Sequence, residues 1–404
     1  DITTLLLTGG VGGAGLADDT TTTLGGAGGA STATFTAGLT STTTSVIGGK
    51  GGAGGADSGT EALDNDGGVG GASTLDLNLV AGTAQNIGTL NITGGAGGNE
   101  GLGDEAGEGG AGGAALATIA GDVTGNIVLT VGATGTENSG ADAASAAGVG
   151  GTASVTFDGA TAQTVIGNIT AGADDTGTIN VTNDLTITGN VGLVGATADI
   201  ADLKISDGKS LTITGTVDVV DLTLGSSTGT GTQAVTFKGA TVVINDLILF
   251  HDAANATRSI TFDASNNDIS ATVAISTSTT DTGDTNNISF IGGTTNTTTY
   301  NSAIVTADEI DSILVGSSTQ AGKAELRMAT AVTAYTLNDT AGSSTLSFNA
   351  TEGAKAIAGT INGTAAGKGT LSVYDDDADA AADTFTFAGV VGGTGSLKAV
   401  KIGN

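Results

Sequence analysis

The sequence predicts an all-β protein built as a parallel β-helix (β-solenoid), with Gly-rich arms projecting from its N-terminal part. Three observations favour this fold. Short strand-like phrases alternate apolar and polar residues, which is typical of half-buried strands. Similar segments recur along the chain. The 404 residues include 71 Gly and no Pro, as expected where interior strands must keep their backbone N–H donors.

Four similar segments occupy the N-terminal part, and their starts lie 42, 42 and 38 residues apart. Each has a Gly-rich entry, an alternating strand, a turn of small residues and a second strand. They are Gly25–Gly49, Gly67–Gly95, Gly109–Gly135 and Ala147–Gly172. Because each segment is long enough for one coil but not for a domain, a stack of coils is favoured. Tandem β-sandwiches are the alternative fold.

Excursions with acidic tips separate these segments, and most are bordered by the pattern GGxGG. Gly pairs let backbones approach closely, and GGx gives a three-residue period with one non-Gly side chain per turn. We therefore predict ordered, polyglycine-type arms, with flexible loops as the alternative. The chain divides accordingly into residues 1–172, with arms and acidic tips, and residues 173–404, a β-solenoid region without arms.

A short phrase, an apolar residue followed by Thr or Ser and then Phe, recurs in full or weaker form along the chain. It places eight of the nine Phe residues in similar surroundings, namely Phe35, Phe157, Phe237, Phe262, Phe290, Phe348, Phe385 and Phe387. Stacked coils would bring some of these rings together as an internal ladder. The alternative is that Phe simply prefers strands.

The charge is strongly acidic, with 11 Lys and Arg against 41 Asp and Glu and a net charge of −30. Residues 1–200 contain twenty acidic residues and one basic residue, Lys50. This charge argues against nucleic acid and against an anionic membrane as partners, because both need a basic surface. No apolar run approaches the roughly 20 residues of a transmembrane segment. The charge favours solubility or calcium binding.

Hard oxygen ligands for calcium are abundant, and the absence of Cys excludes thiolate metal sites and disulfides. The sequence offers five candidate calcium ligands: Asp64 and Asp66 beside a Gly turn, and Asp375, Asp376 and Asp377 in the densest carboxylate cluster. Neither group has the complete spacing of a known calcium loop. Calcium is therefore the one cofactor that the sequence favours.

Material for catalysis is sparse. His251 is the only His, and no G-x-S-x-G element accompanies it. The carboxylates of Asp375–Asp377 could act as an acid–base pair, but the few scattered basic residues would hold an acidic polysaccharide poorly. We predict that the chain is not an enzyme, and a polysaccharide-active β-helix is the distant alternative.

The two ends of the sequence carry related phrases. Val400–Asn404 repeats the pattern of Thr164–Asn168, and Asp1–Gly10 resembles the strand that follows this pattern in the fourth repeat. We therefore expect neighbouring copies to complete a coil head to tail, since open solenoid ends expose strand edges. A fragment of a longer array is the alternative.

The region Ile166–Gly239, with phrases such as Leu185-Thr186-Ile187-Thr188-Gly189-Asn190, resembles the passenger regions of autotransporter adhesins. The Thr, Ala, Gly and Asp composition without Cys is similar to that of β-solenoid S-layer proteins of bacterial surfaces, many of which need calcium. This resemblance implies export, an extracellular or cell-surface location, and self-association or adhesion. It names no active residue.

The expected function is that of a structural subunit of a self-assembling extracellular filament, sheath or S-layer, whose partners are copies of itself. The alternative is a cell-surface adhesin passenger that binds glycans or neighbouring cells.

Overall fold

A computed structural model shows an all-β molecule, in which none of the described residues is helical. The residues it describes are 2–16, 23–55, 66–77, 85–101, 108–136, 149–195, 199–226, 231–249, 256–277, 285–292, 295–304, 310–327, 330–338, 340, 343–349, 355–374 and 384–403. The chain forms two compact units. The first is Asp1–Thr188 with Gly195–Asp202, and the second is Gly189–Val194 with Leu203–Asn404.

The strands of the first unit are β1 (Ile2–Thr8), β2 (Ser31–Phe35), β3 (Thr40–Ile47), β4 (Ser73–Leu77), β5 (Gln85–Thr93), β6 (Ala115–Ile119), β7 (Val123–Thr130), β8 (Ala153–Phe157), β9 (Gln163–Ile166), β10 (Ile169–Ala171), β11 (Thr176–Val181) and β12 (Leu185–Ile187). The division between the units falls within β13 (Ile200–Ile205).

The strands of the second unit are β14 (Ser210–Ile213), β15 (Val217–Leu224), β16 (Thr232–Phe237), β17 (Thr241–Leu249), β18 (Thr257–Asp263), β19 (Ile269–Thr277), β20 (Thr285–Ile291), β21 (Thr298–Tyr300), β22 (Ser312–Val315), β23 (Lys323–Leu326), β24 (Thr330–Leu337), β25 (Thr345–Asn349), β26 (Lys355–Gly363), β27 (Thr370–Tyr374), β28 (Phe385–Phe387) and β29 (Ala399–Ile402).

Each unit contains two parallel sheets, and the chain alternates between them. In the first unit the orders are β1-β3-β5-β7-β9-β12, with β10 also beside β7, and β2-β4-β6-β8-β11. In the second unit the orders are β14-β16-β18-β20-β22-β24-β26-β28 and β15-β17-β19-β21-β23-β25-β27-β29. Each coil thus gives one strand to each sheet, except that β9 and β10 of one coil both belong to the first sheet. This confirms the predicted parallel β-solenoid, and the alternative of tandem antiparallel sandwiches is wrong.

The two-residue alternation of the sequence separates the coil interior from its surface. In β16, β18 and β20 the residues Val235, Ile260 and Ile288 pair in register and are buried, whereas the Thr and Ser beside them are half exposed. Because successive side chains of a strand point to opposite faces, every apolar residue of the pattern adds to one continuous core.

Three Phe residues in successive coils form the predicted ladder. Phe237, Phe262 and Phe290 pair in register and are fully buried. Their ring centroids lie 5.7 and 5.5 Å apart, and the Phe262 and Phe290 rings are stacked with an interplanar angle of 14°. A second cluster packs Phe348 against Tyr335 and Phe387 at 5.8 and 5.7 Å. The internal ladder is therefore confirmed for these coils.

The Gly-rich arms of the first unit form a two-layer array, which we call the glycine slab. It consists of outgoing runs at 9–15, 48–55, 94–101 and 132–136, and returning runs at 25–30, 67–72, 109–114 and 149–152. All these runs lie within the region 1–172 for which arms were predicted. The acidic tips between them lie largely outside the described residues.

Hydrogen bonds at every third residue hold the glycine slab together. Within a layer the runs are parallel, as shown by the amides of Gly9 and Gly12, which donate to the carbonyls of Ile47 and Lys50 at 2.9 and 2.8 Å. Between layers they are antiparallel: the carbonyls of Gly29, Gly26 and Thr23 accept in turn from the amides of the run 49–55. A helix of the polyproline II type, which the GGx period predicts, has no internal hydrogen bonds, so these contacts between runs order the arms as predicted.

The close approach of the runs explains why the slab consists of Gly. A Cβ atom added to Gly71 would lie 2.1 Å from the carbonyl oxygen of Gly29, well inside van der Waals contact. Gly13, in the outermost outgoing run, has open space where its Cβ would lie.

We expect Gly71→Ala to lower the free energy of unfolding by at least about 1–3 kcal/mol, because neighbouring backbones must move apart. Gly13→Ala is the matched control and should leave stability within about 0.5 kcal/mol of the parent. Urea unfolding of the three proteins checks this. Equal stability of the two variants would contradict the close packing of the slab.

Candidate functional site

The first candidate is the coil end formed by β28 and β29, which we call the open end. Val400 and Ile402 pair with Leu371 and Val373 of the preceding coil, so their side chains occupy positions that face the coil interior. Leu371 is buried, whereas Val400 and Ile402 are 53% and 84% exposed. No further coil covers these positions within the described part of the chain.

A cavity of about 520 Å³ lies at the open end and continues the coil interior to the surface. The residues that line it all have apolar side chains: Leu371, Val373, Phe385, Phe387, Val391, Val400 and Ile402. Burying a side chain of this kind is worth about 1.5–3 kcal/mol.

The outer rows of the glycine slab form a second exposed surface. Val69 and Val149 are 51% and 78% exposed in the returning layer, and Lys50 is exposed in the outgoing layer. Asp66, one of the predicted calcium ligands, lies at the distal edge of the returning layer. Its carboxylate accepts a hydrogen bond from the backbone amide of Glu108 at 2.8 Å, which ties two neighbouring runs together.

The other residues singled out by the sequence lie outside the described residues. These are the predicted calcium ligands Asp64, Asp375, Asp376 and Asp377, and also His251. The candidate calcium ligands therefore remain a prediction.

A different group of carboxylates comes together in the first unit. The ligand oxygens of Asp174, Asp175 and Asp199 all lie within 4.8 Å of one another. Asp174 and Asp175 are exposed in the turn before β11, and Asp199 precedes β13 and is half buried. Asp175 has φ of 50°, a conformation that Asp tolerates in turns. Three hard oxygen donors at this spacing suit a calcium ion.

Sequence reasoning missed this cluster because Asp199 is far in the chain from the adjacent pair Asp174 and Asp175. One coil here spans 24 residues, as the pairing of Ser154 with Thr178 shows. Asp199 follows Asp175 by that same interval, so a search for acidic residues one coil apart would have found the group.

Glu325 is the centre of a polar network in the second unit. Its carboxylate accepts hydrogen bonds from Arg327 Nε at 2.7 Å, Asn349 Nδ2 at 3.1 Å and the Tyr374 hydroxyl at 2.6 Å. Burial acts to raise the pKa of Glu325, but the hydrogen bonds from Tyr374, Arg327 and Asn349 outweigh it, so the pKa lies below its ordinary value. The network joins three successive coils.

No protein-family model, curated protein or solved structure matches this chain. Among the described residues no helix is long and apolar enough to cross a membrane.

We expect millimolar calcium to raise the midpoint of thermal unfolding, since an ion that binds only the folded state stabilises it, by about 2.7 kcal/mol when the ion exceeds its Kd a hundredfold. Asp199→Asn should lose most of this increase. Asp76→Asn, which removes a negative charge from the same unit outside the cluster, should retain it. If calcium gives the same increase in all three proteins, the cluster is not the site.

Because the pKa of Glu325 is lowered in the folded state, its ionised carboxylate stabilises the folded protein. This stabilisation is fully present above the pKa of an ordinary Glu, about 4.3, and is lost as pH falls through the lower pKa of the folded state. Glu325→Gln should therefore be less stable than the parent at pH 7, by about 1 kcal/mol for a half-buried group. The difference should shrink by pH 3. Tyr374→Phe should show a smaller change of the same kind. Urea unfolding at both pH values measures it, and a difference independent of pH would contradict this role.

Proposed function

We propose that the chain is a structural subunit of a self-assembling extracellular structure, such as a filament, sheath or S-layer. The observation that carries this proposal is the open end, where interior side chains of a coil stand exposed around an apolar cavity. A second copy of the same chain is the proposed partner, because its own coils pair by the same parallel backbone hydrogen bonding.

The argument rests on the geometry of parallel coils. The free edge of a parallel strand presents unpaired N–H and C=O groups that accept another strand. At the other edge, β1 pairs only with β3 among the described strands, and its interior-facing Leu5 and Leu7 are half exposed. The edge formed by β28 and β29 of one copy can pair with the edge formed by β1 and β2 of another copy. Successive coils within the chain pair in the same parallel way. Such unlike contacts give a filament when the rotation between copies does not close into a ring, and an open filament is the arrangement that we propose.

Charge opposes this association and gives calcium a role in the proposal. Each copy carries a net charge of −30, so copies repel one another at low ionic strength. Calcium bound at Asp174, Asp175 and Asp199 would lower this charge. The calcium requirement of the S-layer proteins that the sequence resembles agrees with that role, and their surface location agrees with an extracellular one.

The experiment replaces two apolar side chains of the open end by carboxylates. Val400→Asp with Ile402→Asp should abolish concentration-dependent assembly, because two further negative charges would have to be buried. Val69→Asp is the matched control, since Val69 is 51% exposed and Val400 is 53% exposed. Sedimentation velocity and electron microscopy, both with calcium present, should show assemblies for the parent and the control only.

Two results would count against the proposal. One is a parent protein that stays monomeric at every concentration with calcium present. The other is assembly of the Val400→Asp, Ile402→Asp variant to the same extent as the parent.

A further inference from the structure

A groove with polar walls crosses the outer face of β18, β20, β22 and β24 in the second unit. We call it the polar groove, and its main lining residues are Thr261, Ser289, Ile291, Leu314, Thr336 and Asn338. Its volume is about 280 Å³, close to the lower end of the range of about 300–1,000 Å³ for small-molecule sites.

One wall of the polar groove includes a Gly. Gly316 follows β22 in the position that Ile291 and Asn338 occupy in the coils before and after it. Its φ is 83°, and a Cβ there would lie 2.2 Å from Ser344 Oγ, so a larger residue does not fit. Gly316 therefore contributes only backbone to the groove between Ile291 and Asn338.

Three hydroxyl-bearing residues and one Leu form a row along the groove. Thr261 pairs with Ser289, Ser289 with Leu314, and Leu314 with Thr336, so consecutive members of this row lie about 4.8 Å apart. Within the described part of the chain, the hydroxyls of Thr261, Ser289 and Thr336 have no hydrogen-bond partner. They are available to a ligand.

In the neighbouring row of the same sheet, formed by Ser259, Asn287 and Ser312, the Ser hydroxyls do have hydrogen-bond partners. There Ser312 donates its hydroxyl to Asn287 Oδ1, and Ser259 donates to the carbonyl of Gln233. Unpartnered hydroxyls are therefore not a general property of this face, and they distinguish the row that borders the groove.

The lining determines the class of ligand. Thr261, Ser289 and Thr336 can each donate and accept hydrogen bonds, while Ile291 and Leu314 offer aliphatic contact. None of the described lining residues is charged, although the chain has 41 acidic residues. A ligand with several hydroxyl groups, apolar C–H faces and no charge has the matching chemistry.

We propose that the polar groove binds a neutral saccharide. The site has no cation to hold an acidic sugar and no carboxylate to hold a metal ion. This inference goes beyond the structural function and does not depend on it. It gives the adhesin alternative a specific site, because glycan binding is the activity that distinguishes an adhesin from a passive subunit.

The test applies the purified chain to a printed array of neutral and acidic oligosaccharides. The Thr261→Val, Thr336→Val double variant removes two groove hydroxyls while keeping shape and strand preference. Thr212→Val, Thr236→Val is the matched control, because these residues continue the same row outside the groove. The parent and the control should bind neutral saccharides, and the groove variant should bind the same saccharides at least about tenfold more weakly.

Absence of saccharide binding by the parent would overturn the proposal. So would binding that the groove variant retains, or a preference for acidic saccharides. Sedimentation velocity of the groove variant should match that of the parent, so a failure of this site and a failure of self-assembly are separate results.

Discussion

Hydrogen bonding between successive coils is the interaction on which the rest of the structure depends. In a parallel stack the backbone N–H and C=O groups of one strand find partners only in the coils before and after it. A single Pro in an interior strand would remove a donor from that series, which accounts for a chain without Pro. The same register places like residues above one another, and the stacked rings of Phe262 and Phe290 are one result.

In the glycine slab, backbone N–H and C=O groups also find their partners in neighbouring runs, although these runs are not strands. Its runs have a three-residue period and lack internal hydrogen bonds, so each run must bond to its neighbours in the same layer and in the other layer. That is possible only where backbones approach closely, as at Gly71. The stack also accounts for the exposure at the open end: among the described residues no coil follows β28 and β29, so interior side chains such as Ile402 are exposed.

Much of the fold could be predicted from the sequence, because alternation, repeats and GGx periods are local patterns. The candidate sites could not. The cluster of Asp174, Asp175 and Asp199 forms because Asp199 lies one coil after Asp175, and the length of the coil at that point was not fixed by the sequence pattern. The polar groove depends on which residues of β18, β20, β22 and β24 pair with one another, which only the register of neighbouring coils reveals.

Amide hydrogen exchange of Gly-labelled protein tests the stacked arrangement most directly. The amides of Gly49, Gly71 and Gly113 donate to carbonyls of neighbouring runs at 2.7–2.8 Å, so they should exchange far more slowly than that of Gly13. The amide of Gly13 has no backbone acceptor among the described residues. Uniformly fast exchange of all four glycines would show that the arms are flexible loops and would contradict the account.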